Sequence, residues 1–142
     1  MLKLIQLLVI TILFSYSNQQ KSDSIDRILE NAETKTISQI NQEIDKLVEK
    51  LDKDVQKEHR EWKMRVEKEE RQRKMRIFKA LPKLSTKTQQ KLIRIVMTQQ
   101  NTQLTVGEKN RILTHIANSM DDNTKRELLR NLTDQDLYSL IF

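Results

Sequence analysis

Residues 36–82 read TISQINQEIDKLVEKLDKDVQKEHREWKMRVEKEERQRKMRIFKALP. Across the 45 residues from Ile37 to Leu81 there is no glycine and no proline, and most of the side chains are strong helix formers. One unbroken helix over about 37–81 would measure about 67 Å at roughly 1.5 Å per residue. A compact domain of this size has a radius of gyration near about 14 Å and is only about 35 Å across. Such a helix must project, link two packed ends, pair with another chain, or kink.

Thr36-Ile37-Ser38-Gln39 has the Thr-x-x-Gln spacing of a capping box, which starts the helix. Ile40, Ile44, Leu47, Val48, Leu51, Val55 and Trp62 then follow three- and four-residue steps and define one apolar stripe. Past Trp62 the stripe lapses into Arg65, Glu69, Gln72 and Arg76. Glu61–Arg65, Glu67–Arg71, Glu69–Arg73 and Glu70–Lys74 are i,i+4 pairs with the acid leading, an orientation that supports a solvated helix at about 0.2–0.5 kcal/mol each. Met75, Ile77, Phe78 and Leu81 restore an apolar patch, and Pro82 ends the run. This pattern predicts a buried first half, a charged middle and a re-buried end.

C-terminal to it, Ser85 to Gln89 supplies caps for a helix whose core face is Leu92, Ile93, Ile95, Val96 and Met97. Thr105-Val106-Gly107-Glu108 is a second capping box, opening a helix with Ile112, Leu113, Ile116 and Met120. Asp121-Asp122-Asn123 precedes Leu128, Leu129 and Leu132, and Thr133-x-x-Asp136 starts a last turn with Leu137, Leu140 and Ile141. N-terminal to the long run, a short helix over Asp23 to Glu30 places Ile25, Ile28 and Leu29 on one face. Two stretches therefore read alike, as helix, polar loop and Thr-capped helix.

Met1-Leu2-Lys3, the apolar run Leu4–Phe14 and Ser15-Tyr16-Ser17 have the layout of a secretory signal peptide over 1–17. The run is shorter than the about 20 apolar residues that span a bilayer. The expectation is a secreted, extracellular chain of one domain over 18–142. It has no cysteine, one glycine, one proline and few aromatic residues, a composition that favours an all-α protein over sheets with tight hairpins. The expected architecture is two helix–loop–helix units linked by one long charged helix. EF-hand-like pairing of the two units is compatible with this order without a consensus calcium loop. Charge is uneven. From Asn18 to Glu70 there are 11 basic and 14 acidic residues, from Arg71 to Gly107 nine basic and none acidic, and thereafter five basic and six acidic.

The segments Ile28-Leu29-Glu30-Asn31 leading to Thr36-Ile37, the long charged helix, Leu84-Ser85, and Asn101 through Leu104-Thr105 to Glu108 and Ile112 carry a resemblance. Together with the leader they make the chain resemble the nematode SXP/RAL family of small secreted proteins, over roughly Ser24 to Leu132. That family's domain is described as cation-binding and resembles that of a fish-parasite allergen. The resemblance implies an all-helical fold, secretion at a host interface, antigenicity and binding of Mg²⁺ or Ca²⁺. The oxygen donors open to such an ion are Glu30, Asn31, Glu33 and Thr34 in the first loop and Asn101, Gln103, Thr105 and Glu108 in the second, with Glu30, Asn31, Glu33, Asn101 and Glu108 the leading candidates. Asp121 and Asp122 are a third pair. An EF-hand loop needs glycine at its sixth position and glutamate at its twelfth. Counting from Asn101 places Val106 and Ile112 there, so only weak, hydrated binding is expected.

The basic block between Arg71 and Arg94, with Arg71, Arg73, Lys74 and Arg76 at its start, suits an acidic membrane surface or a sulfated glycan. Nucleic acid is not expected, because aromatic side chains for base stacking are missing apart from Phe78. The 40–62 stripe is a core face or a homodimer seam, and a small-lipid cavity between helices is a further reading. Asn131-Leu132-Thr133 is a glycosylation sequon. Catalysis has no visible basis. His59 and His115 stand far apart and read as helix-surface residues, there is no cysteine nucleophile, and one glycine cannot make a phosphate loop. The chain reads as a non-enzymatic binding or interaction protein. Its ligand is a cation by resemblance. By its own residues the ligand is an acidic surface, a protein partner or a small lipid.

Overall fold

Thr36 starts the first full helix as its capping box requires. Its Oγ1 accepts the Gln39 N–H at 3.2 Å and the Gln39 side chain accepts the Thr36 N–H at 2.8 Å, satisfying two of the donors that a helix start leaves open. The structure is a computed structural model that describes residues 26–133, 136 and 137. The signal-peptide reading of 1–17 and the last-turn residues Leu140 and Ile141 lie outside the described residues. Residues 26–30 are helical, followed by a 3₁₀ turn at Ala32–Thr34. The further helices are α1 (Ile37–Val48), α2 (Lys53–Ala80), α3 (Thr86–Gln100), α4 (Val106–Asn118) and α5 (Asp122–Asn131), with a 3₁₀ turn at Leu81–Lys83 after α2. The protein is all-α. Among the described residues there is no strand, only one isolated antiparallel bridge between Thr36 and Thr105.

The single helix expected over 37–81 is two helices. Residues 49–52 turn the chain, with the Lys50 N–H donating to Leu47 O and the Leu51 N–H to Val48 O. These three-residue bonds tighten the end of α1. The Gln56 amide donates to Glu49 O at 3.1 Å and to Leu51 O at 2.9 Å, while Asp52 O accepts the Gln56 N–H. The physical reason lies in the stripe rather than in a breaker residue. Asp45 bonds Lys63, 18 residues on, a separation of about 27 Å along an unbroken helix. Folding back lets the stripe bury against its own neighbours instead of running along one solvated rod.

The described chain forms two compact units. The first takes residues up to Lys63 together with Thr102–Gly107, and the second takes Met64–Asn101 with residues from Glu108 on. In the first, Ile28, Ala32, Ile40, Ile44, Val48 and Val106 form the core, with Ile37, Leu47 and Trp62 packed against it. The residues expected as a dimer seam are thus largely packed inside one chain. The two polar loops meet here, since the Val106 N–H donates to Lys35 O at 2.8 Å beside the Thr36–Thr105 bridge. In the second unit Ile77, Ala80, Leu84, Leu92, Ile95, Leu113, Ile116, Met120, Leu128 and Leu132 form the core. Ser85 and Asp121 cap α3 and α5, and the Glu127 carboxylate accepts from the Ser85 and Thr88 hydroxyls. Among the described residues no helix is long and apolar enough to cross a membrane.

Candidate functional site: an apolar groove with a basic border

The expected core faces of α2 and α3 are only half buried. Ile77, Leu92 and Ile95 are in the core, but Phe78 is 72% exposed, Met97 67%, Met75 57% and Ile93 43%. The reason is helical period. Phe78 lies one residue beyond Ile77, and Ile93 and Met97 lie one and two residues beyond Leu92 and Ile95, about 100–200° around each axis. The outward side chains leave an open groove of about 230 Å³ between the end of α2 and α3. Ile77 and Leu92 lie at its base; Lys74, Phe78, Ile93, Met97 and Gln100 border it. Contiguous exposed apolar surface of this kind on a small protein marks a binding site more often than chance packing.

The four basic residues singled out at the start of the basic block do not act as one cluster. Arg76 forms a bidentate pair with Asp136, with Nε at 3.0 and 3.1 Å from the two carboxylate oxygens. That pair holds the Asp136 carboxyl below its ordinary range and raises the Arg76 guanidinium. Asp136, with 1% of its surface exposed, also accepts from the Thr133 hydroxyl, and its own N–H donates back to it. Arg73 pairs with Glu70 at 3.3 Å and its side chain is mostly covered. Arg71 makes only a loose contact with Glu67 at 3.7 Å, both largely exposed, a pair worth about 0–1 kcal/mol. Lys74 is exposed and reaches the groove. Arg71, Lys74 and Phe78 follow three- and four-residue spacing, so they share one stripe of α2.

The cation expected from the family resemblance does not fit the described donors. Glu30, Asn31 and Glu33 are all exposed, and the backbone carbonyl of Asn31 accepts the Thr34 N–H and hydroxyl. In the second loop Asn101 is the C-cap of α3, with its N–H on Met97 O and Thr98 O, and Glu108 lies half buried in the first turn of α4. Asp121 is committed to capping α5 and to Lys87. Among the described residues no three His, Cys, Asp or Glu side chains come together as metal ligands would. A calcium ion takes six to eight oxygens. A lysine has entered this region instead. Lys109, 5% exposed, donates from Nζ to Gln99 O at 2.9 Å, and burial lowers its pKa.

The two histidines part company. His115 is exposed as expected, but His59 is buried. It lies four residues after Val55 and three before Trp62, on the stripe itself, and that spacing was the overlooked signal. Its ring stacks on Trp62 with centroids 6.0 Å apart, and Nε2 lies 2.9 Å from Asp45 Oδ1. Burial pushes the Asp45 carboxyl up, but hydrogen bonds from Lys63 and His59 outweigh it and hold the group low. Asn131 is the last residue of α5, with its Nδ2 donating to Glu127 O at 2.8 Å. No protein-family profile matches the chain, no curated protein is similar to it, and no solved structure matches it.

Proposed function

We propose that this chain is a secreted, non-enzymatic binding protein that holds the hydrocarbon chain of an anionic lipid in the groove between α2 and α3. The observation that carries the reading is an apolar trough bordered by Lys74 in a stretch with nine basic residues and no acidic one. The groove, about 230 Å³, is smaller than the roughly 300–1,000 Å³ of ordinary ligand pockets. Its size suits one acyl segment rather than a whole two-chain lipid. Arg71 and Lys74, on the Phe78 stripe, suit a carboxylate or phosphate head outside the trough. Secretion rests on the residues of the N-terminal leader, and membership of the SXP/RAL family, with host exposure and antigenicity, rests on the quoted segments.

Displacement of an environment-sensitive fluorescent fatty acid tests this function. The parent chain is expected to bind the probe and release it to oleate. Phe78→Ser and Lys74→Glu should each weaken binding by about tenfold, the factor that 1.4 kcal/mol represents. A parent chain that leaves the probe signal unchanged overturns the proposal. So does heparin retention lost in Lys74→Glu with probe binding unaffected by Phe78→Ser, which would make the surface purely electrostatic.

A further inference from the structure

Lys109 stands where local rules do not favour a lysine. It is in the first turn of α4, where the helix dipole favours negative rather than positive side chains. It is also 5% exposed, although lysines are almost never buried unless they have a partner. Its placement makes sense only through what its ammonium faces. The last turn of α3 presents carbonyls with no partner inside the helix, at the negative end of its dipole. Asn101 N–H covers Met97 O and Thr98 O, at 3.0 and 3.3 Å. Gln99 O receives the Lys109 ammonium at 2.9 Å. The last turn of α3 has no basic residue of its own, so the positive charge comes from the next helix, across the loop.

We infer that Lys109 is the resident cation of this helix–loop–helix. Its ammonium does the work of a divalent ion placed between the end of one helix and the start of the next, and it excludes such an ion. The acceptor shown for this ammonium is the Gln99 carbonyl. An ammonium is satisfied by three acceptors, whereas Ca²⁺ takes six to eight oxygens and Mg²⁺ near-octahedral coordination. The one acidic side chain between Arg71 and Asn118 is Glu108, so this stretch offers a divalent ion a single formal negative charge. A divalent ion at the Gln99 carbonyl would share that acceptor with an ammonium and be repelled by it.

Thermal melts and calorimetric titrations of the full chain with millimolar CaCl₂ or MgCl₂ test this, on the parent, Lys109→Met and Lys109→Glu. The parent is expected to give no binding heat and a melting shift under about 1 °C, because a ligand that does not bind cannot stabilise. Lys109→Met should melt lower by about 4–8 °C and gain nothing from either ion. Lys109→Glu, which supplies the missing carboxylate, should melt lower without metal and regain about 4 °C or more in Ca²⁺. Binding heat together with a metal-induced melting rise in the parent overturns the inference, and so does a Lys109→Met variant as stable as the parent. A Lys109→Glu chain that folds but gains nothing from Ca²⁺ removes the ion-replacement part. Even if neither variant folds, titration of the parent separates an excluded ion from a bound one.

Discussion

Gly107 is the single glycine of the chain, and its value lies in what approaches it rather than in backbone freedom. A Cβ at this position would meet Glu33 O at 2.9 Å and Glu33 Cβ at 3.5 Å. The near atom is a backbone carbonyl in the first loop, which cannot rotate aside as a side chain can. Alanine gains about 0.8–1 kcal/mol over glycine in a helix, while overpacking costs about 1–3 kcal/mol. Gly107→Ala should therefore lower stability by about 1 kcal/mol net, read from urea denaturation. A variant more stable than the parent would show that the loop yields. The sequence placed Gly107 inside a capping box but offered no sign that another loop leans on it. Lys109 escapes a sequence reading for the same kind of reason, as a polar residue whose burial depends on a partner brought near by folding, whereas the place of His59 on the apolar stripe was legible.

Among the elements, the hairpin of α1 and α2 departs most from the sequence reading. Its start was legible, because the Thr36–Gln39 capping box is a local device. Its stripe was legible too, and Ile40, Ile44, Val48 and Val55 are all buried. The turn at 49–52 was not, since every residue there is compatible with a helix and no glycine or proline marks it. Burial overrode propensity. Asp45 is the polar fastening of this hairpin, accepting both Lys63 and His59. Asp45→Ala leaves the buried His59 without its Nε2 partner and releases the tie. It should speed amide exchange over α1 and leave α3 unchanged, as hydrogen-exchange mass spectrometry would show. Equal protection in both chains would mean that the apolar contacts alone hold the turn.

Among the described residues of the whole molecule, four carboxyl groups are held below their ordinary pKa. Lys87 does this for Asp121, Ser85 for Glu127 and Arg76 for Asp136; at Asp45 burial works the other way but hydrogen bonds from Lys63 and His59 prevail. A carboxylate with a depressed folded pKa binds fewer protons folded than unfolded. Its contribution is present above the unfolded value and is lost as pH falls through the folded one. Unfolded Asp and Glu titrate near about 3.9 and 4.3. The melting temperature should therefore hold from neutrality to about pH 5 and fall steadily below about pH 4. Circular dichroism melts between neutral and strongly acidic buffers check this, and a melting point flat through the acid range would refute it. The groove operates at this scale as well. It exists because two helices present adjoining outward faces, a relation that no single helix encodes.

The sequence by itself determined that the chain is all-α, where most helices begin and end, which residues are oily, and that the middle is basic. These follow from composition, capping chemistry and helical period, which are local quantities. Only the tertiary structure decided that the long run is two helices, that Arg73 and Arg76 are already paired, and that Phe78 and Met97 face out around a groove. It also decided that an ammonium, rather than an array of carboxylates, meets the end of α3. Each of these outcomes depends on which surfaces meet. Burial free energy is shared among residues far apart in sequence, so a periodicity can mark a face without naming what covers it.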